Sequence, residues 1–278
     1  MFKTDDLQGK VCVFTGASGI LGSAMAEALL EQGVKVAMLA RNAEKLAAYA
    51  DKLAARGCTV MGIAANVLDR PSLEAAREQI HAAWGRCDIL VNCAGGNHPD
   101  GTAKAEQMTP DTPLADSFFG MKLEGFAQVF NLNFQGTLLP TMIFAEDMLD
   151  GRGGNIINIS SMSAQLPLTK VGAYSAAKAA IDNFTKWLAT HFAPMNIRVN
   201  AIAPGFFVTE QNRFLMFKED GKTLSARGEK IIRATPVGHF GKAEDLQGAI
   251  VYLASSMSSF VTGTVLPVDG GFSCYAGV

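Results

Sequence analysis

Short, almost wholly apolar runs of strand-forming residues alternate with amphipathic helical stretches along nearly the whole chain, and nothing else in the sequence constrains the fold as strongly. Val11–Thr15 is the first such run. Ile20–Glu31 follows it, with Ile20, Ala24, Ala28 and Leu29 on one stripe, the spacing of a helix that buries one face. The pattern recurs as strands over residues 34–40, 59–64, 88–92, 155–160, 197–203 and 264–268. Helical patterns fall over 43–55, 72–84, 137–149, 173–192 and 243–254. Strands without a polar face need cover on both sides, and β–α alternation provides it only around a parallel sheet. The expected fold class is therefore α/β. The expected architecture is a single Rossmann-type doubly wound domain over 1–278, with about seven parallel strands and helices on both faces.

Two stretches break this rhythm. Residues 96–125 are rich in Pro, Gly, Asp and Thr, and residues 206–228 are irregular. They are read as a loop insertion and a substrate loop, because both follow strand C-terminal ends, where open α/β sheets place their ligands.

Composition narrows the function classes. Apolar residues make up 49% and charged residues 18%, which suits a packed globular chain. The net charge of −2 comes without any basic block, so a nucleic-acid partner is not expected. No apolar run is long enough to cross a bilayer, and Met1 to Gln8 has no apolar signal core. The expected location is the cytoplasm. Cys12, Cys58, Cys87, Cys93 and Cys274 are scattered and read as reduced thiols. His81, His98, His191 and His239 lack ligand spacing, so no metal is expected.

The turn Thr15-Gly16-Ala17-Ser18-Gly19-Ile20-Leu21-Gly22 joins the first strand to the first helix. Glycines there let backbone approach a pyrophosphate at a helix N-terminus, whose dipole and N–H groups favour anions. A Gly-rich turn without a ligand is the plainer alternative. Where NAD-preferring folds carry Asp or Glu for the ribose 2′-hydroxyl, this chain reads Leu39-Ala40-Arg41. Arg41 suits a 2′-phosphate. NADP is therefore favoured and NAD remains possible, with Arg41 then a solvated residue.

Tyr174 and Lys178 stand one helical turn apart and share a helix face. An ammonium beside a phenol favours phenolate, so Tyr174 is expected to have a lowered pKa and to pass a proton to or from a carbonyl or alcohol. Ser161, upstream at a strand end, can hydrogen-bond the substrate oxygen as charge develops.

With these residues in view, the chain resembles the short-chain dehydrogenase/reductase family over nearly its whole length. The signatures are the Thr15–Gly22 turn, Asn92-Cys93-Ala94-Gly95, Ser161 with Tyr174-x-x-x-Lys178, and Asn200-Ala201-Ile202-Ala203-Pro204-Gly205. The resemblance implies catalytic roles for Asn133, Ser161, Tyr174 and Lys178. Asn133, chosen over nearby Asn131 by its spacing to Gly136-Thr137, would hold a relay water. Lys178 would bind the nicotinamide ribose and lower the phenol pKa. The resemblance also implies that Gly16, Ser18, Ile20 and Gly22 meet the phosphates, and Asn66 and Val67 the adenine. Asn92, Ala94 and Gly95 would line the ribose side. Pro204, Gly205, Phe207 and Thr209 would border the nicotinamide. Asn66 stands where the family usually has Asp, and a plain turn residue is its alternative. A homotetramer packed through the Tyr174 helix and the last strand is also implied.

The loop after Gly96, the segment after Val129, residues 204–213 and the C-terminal tail resemble the branch of that family acting as D-mannonate oxidoreductases (fructuronate reductases). A sugar acid needs a cation for its carboxylate and hydrogen bonds for its hydroxyls. Asn97, His98, Gln165, Gln211, Asn212 and Arg213 are the candidates, with Lys170 a weaker one. Each has the alternative of ordinary loop polarity, and for His98 that of capping a turn. Gluconate-type polyols, steroid-like alcohols and ketoacyl substrates keep the same mechanism. Enoyl reduction is disfavoured, because that branch spaces its Tyr and Lys more widely. A non-catalytic dinucleotide sensor is the reading from another class.

Overall fold

The computed structural model describes residues 4–209 and 212–277. Seven strands form one parallel sheet: β1 (Val11–Thr15), β2 (Lys35–Ala40), β3 (Val60–Ala64), β4 (Ile89–Asn92), β5 (Gly154–Ile159), β6 (Ile197–Pro204) and β7 (Val265–Val268). Their order is β3-β2-β1-β4-β5-β6-β7. The chain winds outward from β1 to β3, then returns to place β4 on the other side of β1. That reversal opens a crevice above the C-terminal ends of β1 and β4, in register at Thr15 and Asn92.

The central strands are mostly apolar because they pack two ways. Phe14, Val36, Met38, Val91 and Ile157 point into one core with Met25 and Leu29 of α1 (Ile20–Glu31). Val13, Ala37, Leu39, Leu90 and Ile156 point into the other. There they meet Leu73 and Ile80 of α3 (Arg70–Trp84), after α2 (Ala43–Ala54) has crossed from β2 to β3. Neighbouring residues of one strand thus serve opposite cores, as the period of two requires.

The expected strands and helices are all present, with shifted ends. The helix expected over 137–149 is α-helical only over Gly136–Phe144 and continues as a 3-10 turn, Ala145–Met148. Likewise the one expected over 243–254 begins as a 3-10 turn, Ala243–Leu246, and is α-helical over Gln247–Ala254.

The two irregular stretches are more ordered than expected. The 96–125 insertion carries three short 3-10 turns and the start of α4 (Leu123–Phe130). A π turn, Asn131–Gln135, joins α4 to α5 (Gly136–Phe144). After α6 (Gly172–Phe192) and β6, the second stretch holds α7 (Arg213–Met216) and the first residues of α8 (Ala226–Ala234); α9 (Gln247–Ala254) then packs on α1. The Glu106–Lys230 ion pair, 2.8 Å, ties the insertion to α8. Among the described residues, no helix is long and apolar enough to cross a membrane.

Candidate active site

A cleft of about 590 Å³ runs from the β1–α1 turn to the N-terminal end of α6. Its first end is built by glycine. Gly16 adopts φ +71, and a Cβ there would meet the Ala94 backbone nitrogen at 2.8 Å. A Cβ on Gly22 would stand 2.4 Å from the Gly16 carbonyl. Only bare backbone lets the turn, the β4 exit and α1 close together. Gly19, the N-cap of α1, supplies no capping side chain, and the first turn carries no acidic residue. This is a cradle for an anion at a helix N-terminus, and a pyrophosphate fits it.

Beyond the turn, Leu39, Ala40, Arg41, Asn42 and Lys45 border the cleft where β2 ends. Asn42 caps α2 by accepting from the Lys45 backbone N–H, 2.9 Å. That cap turns the first helical residues toward the cleft and brings a second cation beside the exposed Arg41. Among the described residues, no carboxylate lines this end. The Lys45 position was missed by sequence reasoning, although its place one turn after Arg41 was a usable signal.

At the far end, α6 and the exit of β5 face each other. Lys178 is buried and its Nζ donates to the Ile159 carbonyl at 2.7 Å. The same ammonium lies 5.5 Å from the centre of the Tyr174 ring. Asn133 is fully buried in the π turn. Its Nδ2 donates to Gly96 O (2.7 Å) and Val129 O (2.8 Å), while Oδ1 accepts from Gly96 N at 3.2 Å. Gly95 makes the convergence possible: a Cβ there would stand 2.6 Å from Asn133 Oδ1 and 3.4 Å from Lys178 Nζ. Ser161 is extended at φ −164 and ψ 152, and its Oγ accepts from Ser163 N (3.2 Å) and Ser163 Oγ (3.0 Å). The structure thus brings Asn133, Ser161, Tyr174 and Lys178 to one place.

The electrostatics differ from the expectation. Burial pushes the Tyr174 phenol up, the Ser161 hydroxyl pulls it back, and Cys93 raises it further. The lowered phenol pKa expected from Lys178 is not found. Lys178 directs its ammonium to the Ile159 carbonyl, and burial pulls its own pKa down to about 8. Desolvation is the leading influence on both groups.

Gly16, Ser18, Ile20, Gly22, Arg41, Val67, Ala94, Gly95, Pro204, Gly205, Phe207 and Thr209 line the cleft as expected. Asn92 does not. It is buried behind the β4 exit, donating to Thr141 Oγ1 and Asn158 Oδ1, both at 2.9 Å. Asn66 is also outside the lining. Its Oδ1 accepts from Leu68 N at 3.1 Å, an Asx turn that starts the approach to α3.

Of the expected substrate residues that are described, only Asn212 borders the cleft, bonded through its side chain to Thr209 N (2.7 Å) and Phe207 O (2.8 Å). Asn97 donates to Thr102 Oγ1 (2.8 Å), and His98 accepts from Asp100 N (3.2 Å) as the cap of a 3-10 turn. Gln165 is exposed. The Arg213 guanidinium lies 4.9 Å from the Phe217 ring and donates to Gly221 O at 2.8 Å; it does not line the cleft. Lys170 accepts through its carbonyl from Ala103 N at 2.9 Å, which seats the insertion. Gln211 lies outside the described residues.

Comparison with known proteins decides the family. A family model described as Enoyl-(Acyl carrier protein) reductase matches residues 16–273. The chain belongs to the short-chain dehydrogenase/reductase family. It is an NAD(P)-dependent oxidoreductase of that family. It is 51% identical over 275 residues to an uncharacterised oxidoreductase, UxuB, of Bacillus subtilis, covering 99% of this chain and 98% of that one. It is similar to a Haemophilus influenza crystal structure with bound NAD, named provisionally as a D-mannonate oxidoreductase. That match has TM-score 0.94, 46% identity and 98% coverage of both chains. A gluconate 5-dehydrogenase from Burkholderia cenocepacia in complex with NADP and tartrate matches with TM-score 0.84 and 29% identity, over 98% of this chain and 99% of that one.

Proposed function

We propose that this short-chain dehydrogenase/reductase interconverts a keto sugar acid and its hydroxy acid, D-fructuronate and D-mannonate, with NADPH favoured and NADH accepted. The observation that carries the chemistry is the meeting of Asn133, Ser161, Tyr174 and Lys178 at the end of a cleft whose other end cradles an anion. When bound, the nicotinamide would supply or accept the hydride at the keto carbon. Tyr174 gives its proton to the carbonyl oxygen in reduction and takes it back in oxidation. A phenol that burial keeps protonated suits the acid role. Ser161 donates to the same oxygen as negative charge grows on it. Lys178, from its anchor on Ile159, would hold the nicotinamide ribose and keep a positive charge near the phenol. Asn133 sets the start of the insertion over the site through Gly96.

The cations Arg41 and Lys45, with no carboxylate beside them among the described residues, support the 2′-phosphate of NADP. The sugar-acid assignment is supported by the likeness to structures named for mannonate and gluconate chemistry. The gluconate neighbour favours a gluconate-type keto acid as the second reading. Tyr174 and Lys178, one helical turn apart, favour carbonyl over enoyl reduction. Asn212, which borders the cleft, would take a substrate hydroxyl; Asn97, His98, Gln165, Gln211 and Arg213 stay proposals from the sequence for the remaining hydroxyls and the carboxylate. We also propose a cytoplasmic homotetramer. Half-exposed Trp187, stacked between Phe184 and His191 along α6, supports a partner on that helix.

The test follows 340 nm absorbance with NADPH and NADH against D-fructuronate, 5-keto-gluconate, other keto sugar acids and a β-keto ester. Fastest turnover on D-fructuronate with NADPH is expected. Preference for the keto ester would overturn the substrate, and tight dinucleotide binding with no turnover on any of them would favour a sensor.

A further inference from the structure

The reaction as described gives no part to Asp182, a buried carboxylate on the catalytic helix. Asp182 lies on α6, one turn beyond Lys178, and only 9% of its surface is exposed. Burying a carboxylate costs several kcal/mol unless it is bonded and paired, so its partners matter. Its Oδ1 accepts from the hydroxyl of Ser160, the residue between the end of β5 and Ser161. Ser160 also borders the cleft.

The contact belongs to a series. Asn158 Nδ2 donates to Thr185 Oγ1 at 2.9 Å, Lys178 Nζ to Ile159 O at 2.7 Å, and Ser160 Oγ to Asp182. Three successive residues at the β5 exit are therefore each held by a different side chain of α6. Tyr174, Lys178 and Asp182 occupy one face of that helix at successive turns. The first two serve proton transfer, and the third sits behind them.

We infer that Asp182 is a positioning residue for the reaction: its carboxylate pins Ser160, so that Ser161 leaves the strand toward the Tyr174 hydroxyl, and it sustains the positive charge of Lys178. The charged and titratable groups facing Lys178 are few. Cys93 faces it from the β4 exit, and Tyr174 and Asp182 from its own helix. The groups from the π turn and the β5 exit, Asn133 and Ser160, are neutral. Lys186 faces Asp182 from the next turn. Both Asp182 and Cys93 favour the charged amine against burial; of the two, the thiol is held up at about 11, and so is neutral at physiological pH. Asp182 is then the one group of this set that can offset the burial of the ammonium.

The experiment titrates Lys178 in [13Cε]-lysine-labelled enzyme by NMR, a readout that needs neither substrate nor cofactor and so stands apart from the sugar-acid assignment. Asp182→Asn keeps an acceptor for Ser160 but removes the charge. Its Lys178 midpoint is expected to fall by about one pH unit, and the alkaline limb of reductive kcat to fall with it. Ser160→Ala removes the tether but leaves the charge, so it lowers kcat at every pH without moving the midpoint. Asp182→Glu retains the charge and the wild-type midpoint. A folded Asp182→Asn protein with an unmoved midpoint would overturn the inference. So would a midpoint displaced equally by Ser160→Ala, or one lost in folded Asp182→Glu.

Discussion

Asn133 grips Gly96 from both sides, its Nδ2 on the Gly96 carbonyl at 2.7 Å and its Oδ1 on the Gly96 N–H at 3.2 Å. A side-chain amide here copies the pairing that a neighbouring strand would offer, and it fixes where the insertion leaves β4. The third bond, to Val129 O at 2.8 Å, takes the carbonyl that would otherwise accept the i+4 helical bond. The π turn over Asn131–Gln135 coincides with it.

Asn133→Ala should therefore act on fold and site together. Three backbone groups, on Gly96 and Val129, lose their bonds, which is expected to cost about 2–4 kcal/mol. Denaturant melts read that loss, and steady-state assays should show kcat falling with KM rising as the insertion loosens. An unchanged melt would mean that the insertion is held elsewhere.

The β–α alternation was enough to place every strand and the parallel sheet, because strands with two apolar faces admit few arrangements. The glycines inside α4 and α8 hid those helices. Gly125 reads as a breaker, yet a Cβ there would stand 2.5 Å from Asp100. Gly228 likewise sits against the Met216 carbonyl, 2.3 Å from where its Cβ would be. Each is glycine for close approach, which local propensity cannot show. In the site, the spacing of Ser161, Tyr174 and Lys178 was legible. The inward turn of Asn92, the Asx turn of Asn66 and the Arg213 contact with Phe217 depend on tertiary neighbours. So does the raised phenol pKa, since burial is not written in a Tyr–Lys spacing.

Arg41→Asp should move the kcat/KM ratio toward NADH by roughly tenfold or more, as loss of one exposed cation–phosphate contact and gain of a 2′-hydroxyl acceptor would give. Lys45→Ala should produce a smaller change of the same sign. Paired kinetics with both dinucleotides check this, and an unmoved ratio in both variants would remove the 2′-phosphate role.

Lys178→Met should abolish turnover while sparing stability. Burial lowers the amine from 10.5 to about 8, a penalty of roughly 3 kcal/mol. Losing the bond to Ile159 O costs about 1–3 kcal/mol in the opposite direction. The sign with pH is definite. Below about 8 both folded and unfolded chains carry the proton and the full penalty applies. Above it the folded chain releases the proton first, so the penalty fades toward 10.5, the ordinary value of the amine. The variant's Tm relative to wild type should thus be highest near pH 6 and decline between pH 8 and 10.5. A Tm difference independent of pH would contradict the buried-ammonium description.

Gly95→Ala should leave the sheet intact and damage the site, because its methyl would press on Asn133 Oδ1 at 2.6 Å. Near-native melts with a large fall in kcat/KM are expected. A variant with wild-type kinetics would show that Asn133 and Lys178 can separate without harm.

The most direct measurement is single-turnover reduction of D-fructuronate by Tyr174→Phe beside wild type, with dinucleotide binding followed in the same samples. Removal of one hydroxyl should leave dinucleotide affinity close to wild type and slow the chemical step by about 10²–10⁴-fold, the share carried by a positioned proton donor. Reduction at a wild-type rate would show that the proton reaches the substrate by another route.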